Sequence, residues 1–227
     1  MKLTFYGQAC FILETKKHKI AIDPWFNENP LFKGDLDDLP KLDAILVTHA
    51  HGDHLGDTLA LAKRDNAQIV CNFELGNILH FKEPNAKIHT MHIGGSFAFP
   101  FGQVKMTPAL HGSGYIEAGH VYDGGLACGF LIHSEEMNIY HAGDTGLSIE
   151  MQLLEDEQID LALLPIGGNY TMDVKDALKA IDMIKPKKVV PMHYNTFDLI
   201  QAEPKVLENN NQGSEILLIE PGASIDL

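Results

Sequence analysis

Apolar residues dominate three short stretches near the N-terminus, Leu3-Thr4-Phe5-Tyr6, Cys10-Phe11-Ile12-Leu13 and Lys19-Ile20-Ala21-Ile22, and predict three strands. Asp23-Pro24 closes the third as a turn. A fourth strand is expected over Asp43-Ala44-Ile45-Leu46-Val47, a nearly unbroken apolar run of the kind covered on both faces. Periodicity then switches to helical for Thr58–Lys63 and Phe73–Phe81, with a strand at Gln68–Cys71 between them. Further strands are predicted at 87–90, 96–99, 103–109, 126–133 and 138–141. The last third alternates: a helix from Ser148, a strand at Asp160–Leu164, a helix at Asp173–Ile184, a strand at Lys188–Pro191, a short helix near Glu203 and a strand at Glu215–Ile219. This order suits an α/β (α+β) chain in which helices cover stacked sheets, a four-layer αββα sandwich. No linker rich in Pro, Gly or Ser interrupts it, so residues 1–227 are expected to form a single domain.

Composition changes the picture in three ways. At 227 residues and 45% apolar the chain can build a sizeable core. With no apolar run near the ~18 residues of a membrane span and no basic-then-apolar leader, a cytoplasmic, non-membrane protein is expected. Three widely spaced cysteines, Cys10, Cys71 and Cys128, suggest reduced buried thiols rather than a disulfide framework. The net charge of −14, with only 17 scattered basic residues, speaks against a nucleic-acid partner.

The chemistry concentrates in "THAHGDH", residues 48–54, directly after the fourth strand. His111, Asp144 and His193 each follow another predicted strand. Ligands in open α/β sheets bind beyond the carboxyl ends of strands, where loops from separate strands converge. His49, His51, Asp53, His54, His111, Asp144 and His193 could therefore meet at one point. Imidazole suits zinc and neighbouring transition ions, and a carboxylate can bridge two cations. Two such ions could lower the pKa of a water held between them, so that a bridging hydroxide attacks a carbonyl or phosphoryl centre.

His49-Ala50-His51-Gly52-Asp53-His54 resembles the His-x-His-x-Asp-His signature of the metallo-β-lactamase superfamily, with His111, Gly143-Asp144 and His193 in the expected order. The resemblance implies that His49, His51 and His111 hold the first metal, Asp53, His54 and His193 the second, and that Asp144 bridges them. Asp23 resembles the first-motif aspartate, read as a group that orients a ligand histidine. "HAGDTG" and "VVPMHYNTF" look most like the metal-dependent hydrolases related to ascorbate-6-phosphate lactonase. A hydrolase with two divalent ions is expected, zinc first and manganese, iron(II) or nickel as alternatives, with Asp53 or a cation-held water protonating the leaving group. A di-iron redox protein is disfavoured because His51 stands where such relatives commonly carry a carboxylate, and a non-catalytic metal store because the ligand set leaves open positions.

Four more residues are candidates for substrate contact: Asn169 and Tyr170 in "PIGGNYTMD", and Tyr194 and Asn195 beside His193. Thr171 or Asp173 is expected to cap the helix that follows. The segment 111–125 reads as a glycine-rich loop, either mobile beside the site or a plain exposed connection. His141 is a minor suspect for its closeness to Asp144; the remaining histidines read as structural or surface groups. The absence of a leader, of a helical C-terminal extension and of an RNA-clamping insertion argues against β-lactam, thioester and tRNA substrates in turn. A small phosphorylated or carboxylated metabolite is left, cut at a lactone, ester or phosphodiester bond. Whether a second copy of the chain completes the pocket stays open.

Overall fold

The structure is a computed structural model that describes residues 1–211 and 213–227. The elements run β1 (Lys2–Phe5), β2 (Phe11–Glu14), β3 (Lys19–Ile22), β4 (Ala44–Leu46), α1 (Gly52–Leu55), α2 (Thr58–Asp65), β5 (Gln68–Asn72), α3 (Phe73–Lys82) and β6 (Lys87–Met91). They continue as β7 (Ser96–Phe99), β8 (Gly102–Pro108), β9 (Gly114–Glu117), β10 (His120–Asp123), β11 (Cys128–His133) and β12 (Asn138–His141). The remainder is β13 (Leu161–Pro165), α4 (Val174–Ile184), β14 (Lys188–Met192), α5 (Lys205–Asn210), β15 (Glu215–Ile216) and β16 (Ser224–Asp226). By internal contacts the chain divides into two compact units, residues 1–93 with 112–127 and 220–227, and residues 94–111 with 128–219.

The first unit holds a seven-stranded mixed sheet of order β16-β1-β2-β3-β4-β5-β6. β4 lies between parallel β3 and β5, and its three residues are fully buried, as an all-apolar strand requires. One face of this sheet packs Ile12, Ala21, Ile45, Ile69 and Cys71 against Leu61 and Ala62 of α2 and Leu75 and Leu79 of α3. The sheet therefore presents the ends of β3 and β4 side by side, with Ile22 opposite Leu46.

The second unit holds the other seven-stranded sheet, β15-β14-β13-β12-β11-β8-β7. Here β12, β13 and β14 are parallel, so the loops that follow them leave from one end of the sheet. α4 buries Ala177, Ala180, Ile181 and Ile184, and the Asp173 carboxylate caps it by accepting from Asp176 N.

Three expectations need correction. Segment 111–125 is not an unstructured loop: β9 and β10 form a hairpin within it, in register Ile116 opposite Val121. The helix expected from Ser148 is a 3₁₀ helix over Ile149–Glu157, whose buried Met151 and Leu154 are spaced by three. The last predicted strand is only Glu215–Ile216, while Ser224–Asp226, unpredicted, pairs with β1.

Candidate metal centre

In the first unit, Asp23 is the organiser. It follows β3 with a left-handed φ of 48°, and its N–H donates to Leu46 O at 2.9 Å. This strained conformation brings its carboxylate onto the neighbouring chain after β4. Thr48 N donates to Oδ1 at 2.8 Å and Thr48 Oγ1 to Oδ2 at 2.7 Å. His54 Nδ1 lies 2.7 Å from the same Oδ2. Since the carboxylate accepts at each contact, His54 carries a proton on Nδ1, and in the neutral ring Nε2 is the nitrogen left to bind a cation. Thr48 has given its only proton to Asp23, so its Oγ1 accepts from His49 Nδ1, 3.0 Å away. His49 thereby also keeps a lone pair on Nε2.

Those lone pairs face further donors. His49 Nε2 is 3.0 Å from His51 Nδ1, and the His49 and His54 ring centroids are 4.0 Å apart. His54 Nε2 is 3.6 Å from Asp53 Oδ2, too long for a good hydrogen bond. His49, His54 and Asp23 are fully buried, and His51 and Asp53 half-buried. A group of imidazole nitrogens and a carboxylate with its protons turned outward matches the donor chemistry of a divalent cation. Helix α1 supplies this turn: His51 is its N-cap, and Asp53 and His54 lie in its single turn.

In the second unit, one carboxylate oxygen gathers two histidines. Asp144 Oδ2 is 2.9 Å from His193 Nε2 and 3.5 Å from His111 Nε2. The loops are stapled: Thr145 Oγ1 accepts from Leu110 N at 2.9 Å, and Gly146 N donates to Leu110 O at 3.2 Å. Met172 N donates to Thr145 O at 2.9 Å, tying in the loop after β13. His193, directly after β14, has a left-handed φ of 55°, and Asp144 and His193 are both buried.

The weaker suspects lie at the end of β12 and in the loops after β13 and β14. His141 Nδ1 accepts from Gly143 N at 3.1 Å and so shapes the turn before Asp144. Asn169 and Tyr170 occupy the exposed outer turn of a loop closed by the Gly167–Asp173 bridge. The Asn195 side-chain oxygen accepts from Ala202 N at 2.9 Å, inside its own loop, and Tyr194 is half-buried. Two residues escaped the sequence reading. Thr48 relays Asp23 to His49, and buried Gln8, at a left-handed φ of 57°, donates from Nε2 to Asp53 Oδ2 at 2.7 Å. Thr48 was in view as the first letter of the histidine motif; Gln8 left no signal.

A family model described as "Beta-lactamase superfamily domain" matches residues 18–194. A "UPF0173 metal-dependent hydrolase" of Carboxydothermus hydrogenoformans is 46% identical over 230 residues, covering all of both chains. Among solved structures, Igni18, described as a novel metallo hydrolase from the archaeon Ignicoccus hospitalis, is 38% identical with a TM-score of 0.88, over 99% of this chain and 97% of that one. A putative metal-dependent hydrolase from Parabacteroides distasonis is 26% identical with a TM-score of 0.73, over 96% and 92%. The mixed α/β architecture with two large mixed sheets agrees with these metallo-β-lactamase-fold neighbours. The chain belongs to the β-lactamase superfamily and, within it, to the UPF0173 family of metal-dependent hydrolases.

Proposed function

We propose that the protein is a hydrolase that uses two divalent cations, zinc first among the candidates, to cut a lactone, ester or phosphodiester bond in a small molecule. Residues 1–227 act as one functional domain in this reading, because neither unit alone contains all seven proposed ligands and the family model runs through segments of both. The proposed ligands are His49, His51 and His111 for one ion and Asp53, His54 and His193 for the other, with Asp144 shared. Bound there, the ions would supply Lewis acidity and a water whose pKa falls from ~16 toward neutrality. The supporting observation is the buried Asp23 carboxylate, which lies 2.7 Å from His54 Nδ1 and is linked through Thr48 Oγ1 to His49 Nδ1. Both rings are thereby oriented to offer Nε2.

The protein's own residues have further tasks. Gln8 keeps Asp53 Oδ2 as a hydrogen-bond acceptor and fixes that carboxylate's plane. Asp53 is the group assigned to take a proton from the attacking water and return it to the leaving oxygen as the scissile bond breaks. A reducing, cytoplasmic setting fits three cysteines that are all buried as thiols.

The test is elemental analysis of the purified protein, then assay of metal-stripped and metal-restored samples on lactones, carboxylic esters and phosphodiesters. His51→Ala and Asp144→Ala should each lower kcat/KM by more than the roughly 10–100-fold that partners of a ligand cost, with circular dichroism unchanged. Full activity in metal-stripped wild type would overturn the proposal.

A further inference from the structure

Beside the histidine turn the first unit opens a cleft of about 740 Å³, within the range of small-molecule sites. Its floor includes His51 and Asp53, so a molecule bound there lies against two of the proposed ligands. Trp25, Leu55, and Tyr115 and Ile116 of strand β9 also line the cleft.

The walls are built rather than incidental. Gly56 allows the backbone after α1 to reach the Pro24–Trp25 segment, since a Cβ there would meet Pro24 O and Trp25 Cα at 2.6 Å. Asp57 N donates to Pro24 O, and its Oδ2 accepts from Phe26 N and Asn27 N at 2.8 and 3.0 Å. On the other side Ser113 Oγ accepts from Ala50 N and donates to Gly124 O, which locks the base of the β9–β10 hairpin to the histidine turn. Lys82 pairs with Glu117 and stands over the Tyr115 ring, 5.2 Å from its centroid, a contact that helps to hold that ring.

Charge decides the class of occupant. Among the described residues lining the cleft there is no lysine or arginine, whereas Glu28 stands exposed at its rim. Apart from the proposed ions at His51 and Asp53, a phosphate or carboxylate placed along these walls would meet the like charge of Glu28 and no cationic side chain, in a chain of net charge −14. Aromatic and aliphatic walls instead gain by removing apolar surface from water.

We infer that this cleft receives an uncharged apolar group, aryl or branched alkyl, attached to the bond that is hydrolysed, so that the substrate is an apolar ester or lactone rather than a phosphorylated one. The inference rests on the hydrolase reading above and departs from the anionic metabolite expected on sequence grounds. It is made testable by Trp25, the chain's only tryptophan, which lies in the wall and reports occupancy by fluorescence.

Two measurements separate the outcomes. Zinc-restored wild type is titrated with phenylacetamide, the amide counterpart of a phenylacetate ester, and with glucose 6-phosphate while Trp25 emission is followed. Phenylacetamide should change the emission saturably and glucose 6-phosphate should not. In parallel, kcat/KM is measured for methyl phenylacetate and methyl acetate in wild type and Ile116→Glu. The charge should lower the ratio of the two values roughly tenfold, the scale set by losing a hydrophobic pocket contact. Ile116 is 69% exposed on a hairpin, and Ile116→Ala, expected to lower the ratio less, covers any folding defect of the glutamate variant. A Trp25 response to phenylacetamide without turnover of any ester would retain the cleft and overturn the hydrolase reading. Turnover with an unchanged ratio in both variants, or a response to glucose 6-phosphate alone, would overturn the cleft's assignment and leave the hydrolase reading standing.

Discussion

Asp23 acts on two rings by different routes, and the difference can be measured. Asn in its place keeps the shape and tolerates the left-handed backbone, but it cannot accept from Thr48 and His54 as the carboxylate does. Asp23→Asn should weaken zinc binding roughly 10–100-fold, read by competition with a chromophoric chelator. Thr48→Val breaks only the relay to His49, so its loss should be smaller, about tenfold; equal affinities in wild type and both variants would remove the tautomer argument. Gln8→Leu keeps every proposed ligand residue but removes the hydrogen bond that orients Asp53; zinc affinity and kcat should both fall, by about tenfold. The ligand candidates were legible because a short motif and three strand ends carry them. Gln8 was not, because its contact lies 45 residues away in sequence and exists only once β1, β2 and the histidine turn have folded together.

Elements hold these side chains by close backbone approach, and two glycines show how little room there is. A Cβ on Gly167 would lie 2.2 Å from His193 O, so Gly167→Ala must push the strand end that carries His193. It should reduce activity and zinc content together, although residue 167 is no proposed ligand; zinc stoichiometry equal to wild type would contradict this. Gly129 is equally hemmed in, by His141 O and Thr107 Oγ1 at 2.7 Å. The strands were readable because buried runs such as Ala44–Leu46 have one interpretation. The hairpin was not, because its two-residue turn is Ala118-Gly119, without the Asn-Gly signal, and its apolar Ile116 and Val121 are both exposed. Ala118 takes a φ of 49° there, and Ala118→Gly should relieve roughly 1–2 kcal/mol of left-handed strain against roughly 0.4–1 kcal/mol of added unfolded-state freedom, a net rise of about 1–4 °C in Tm. No rise, or a fall, would mean that the turn is already relaxed with alanine.

At the scale of the whole molecule, the class of fold followed from alternating strands and helices, while the pairing of β16 with β1 depends on the two chain ends meeting, which local pattern does not encode. The same burial that makes the core also stores protons. Burial pushes Cys71 from 9.0 up to about 12 and raises Cys10 well above its ordinary value, and Tyr6 rises from 10.0 to about 12 for the same first cause. Each group stays protonated in the folded chain at a pH where the unfolded chain releases it. For a folded pKa raised above the unfolded one, the stabilisation is complete below the unfolded value and is lost as pH climbs toward the folded value. Tm should therefore be flat from neutrality to about pH 8.5 and fall beyond it, with Cys71 among the groups that set the slope. Against a total stability of ~5–15 kcal/mol, several such groups suffice to unfold the protein in strong alkali. Cys71→Ala lowers Tm at every pH by leaving a small cavity, but it should make the decline between pH 9 and 11 shallower by one thiol's share. A decline as steep in Cys71→Ala as in wild type would show that this thiol does not hold its proton in the folded state.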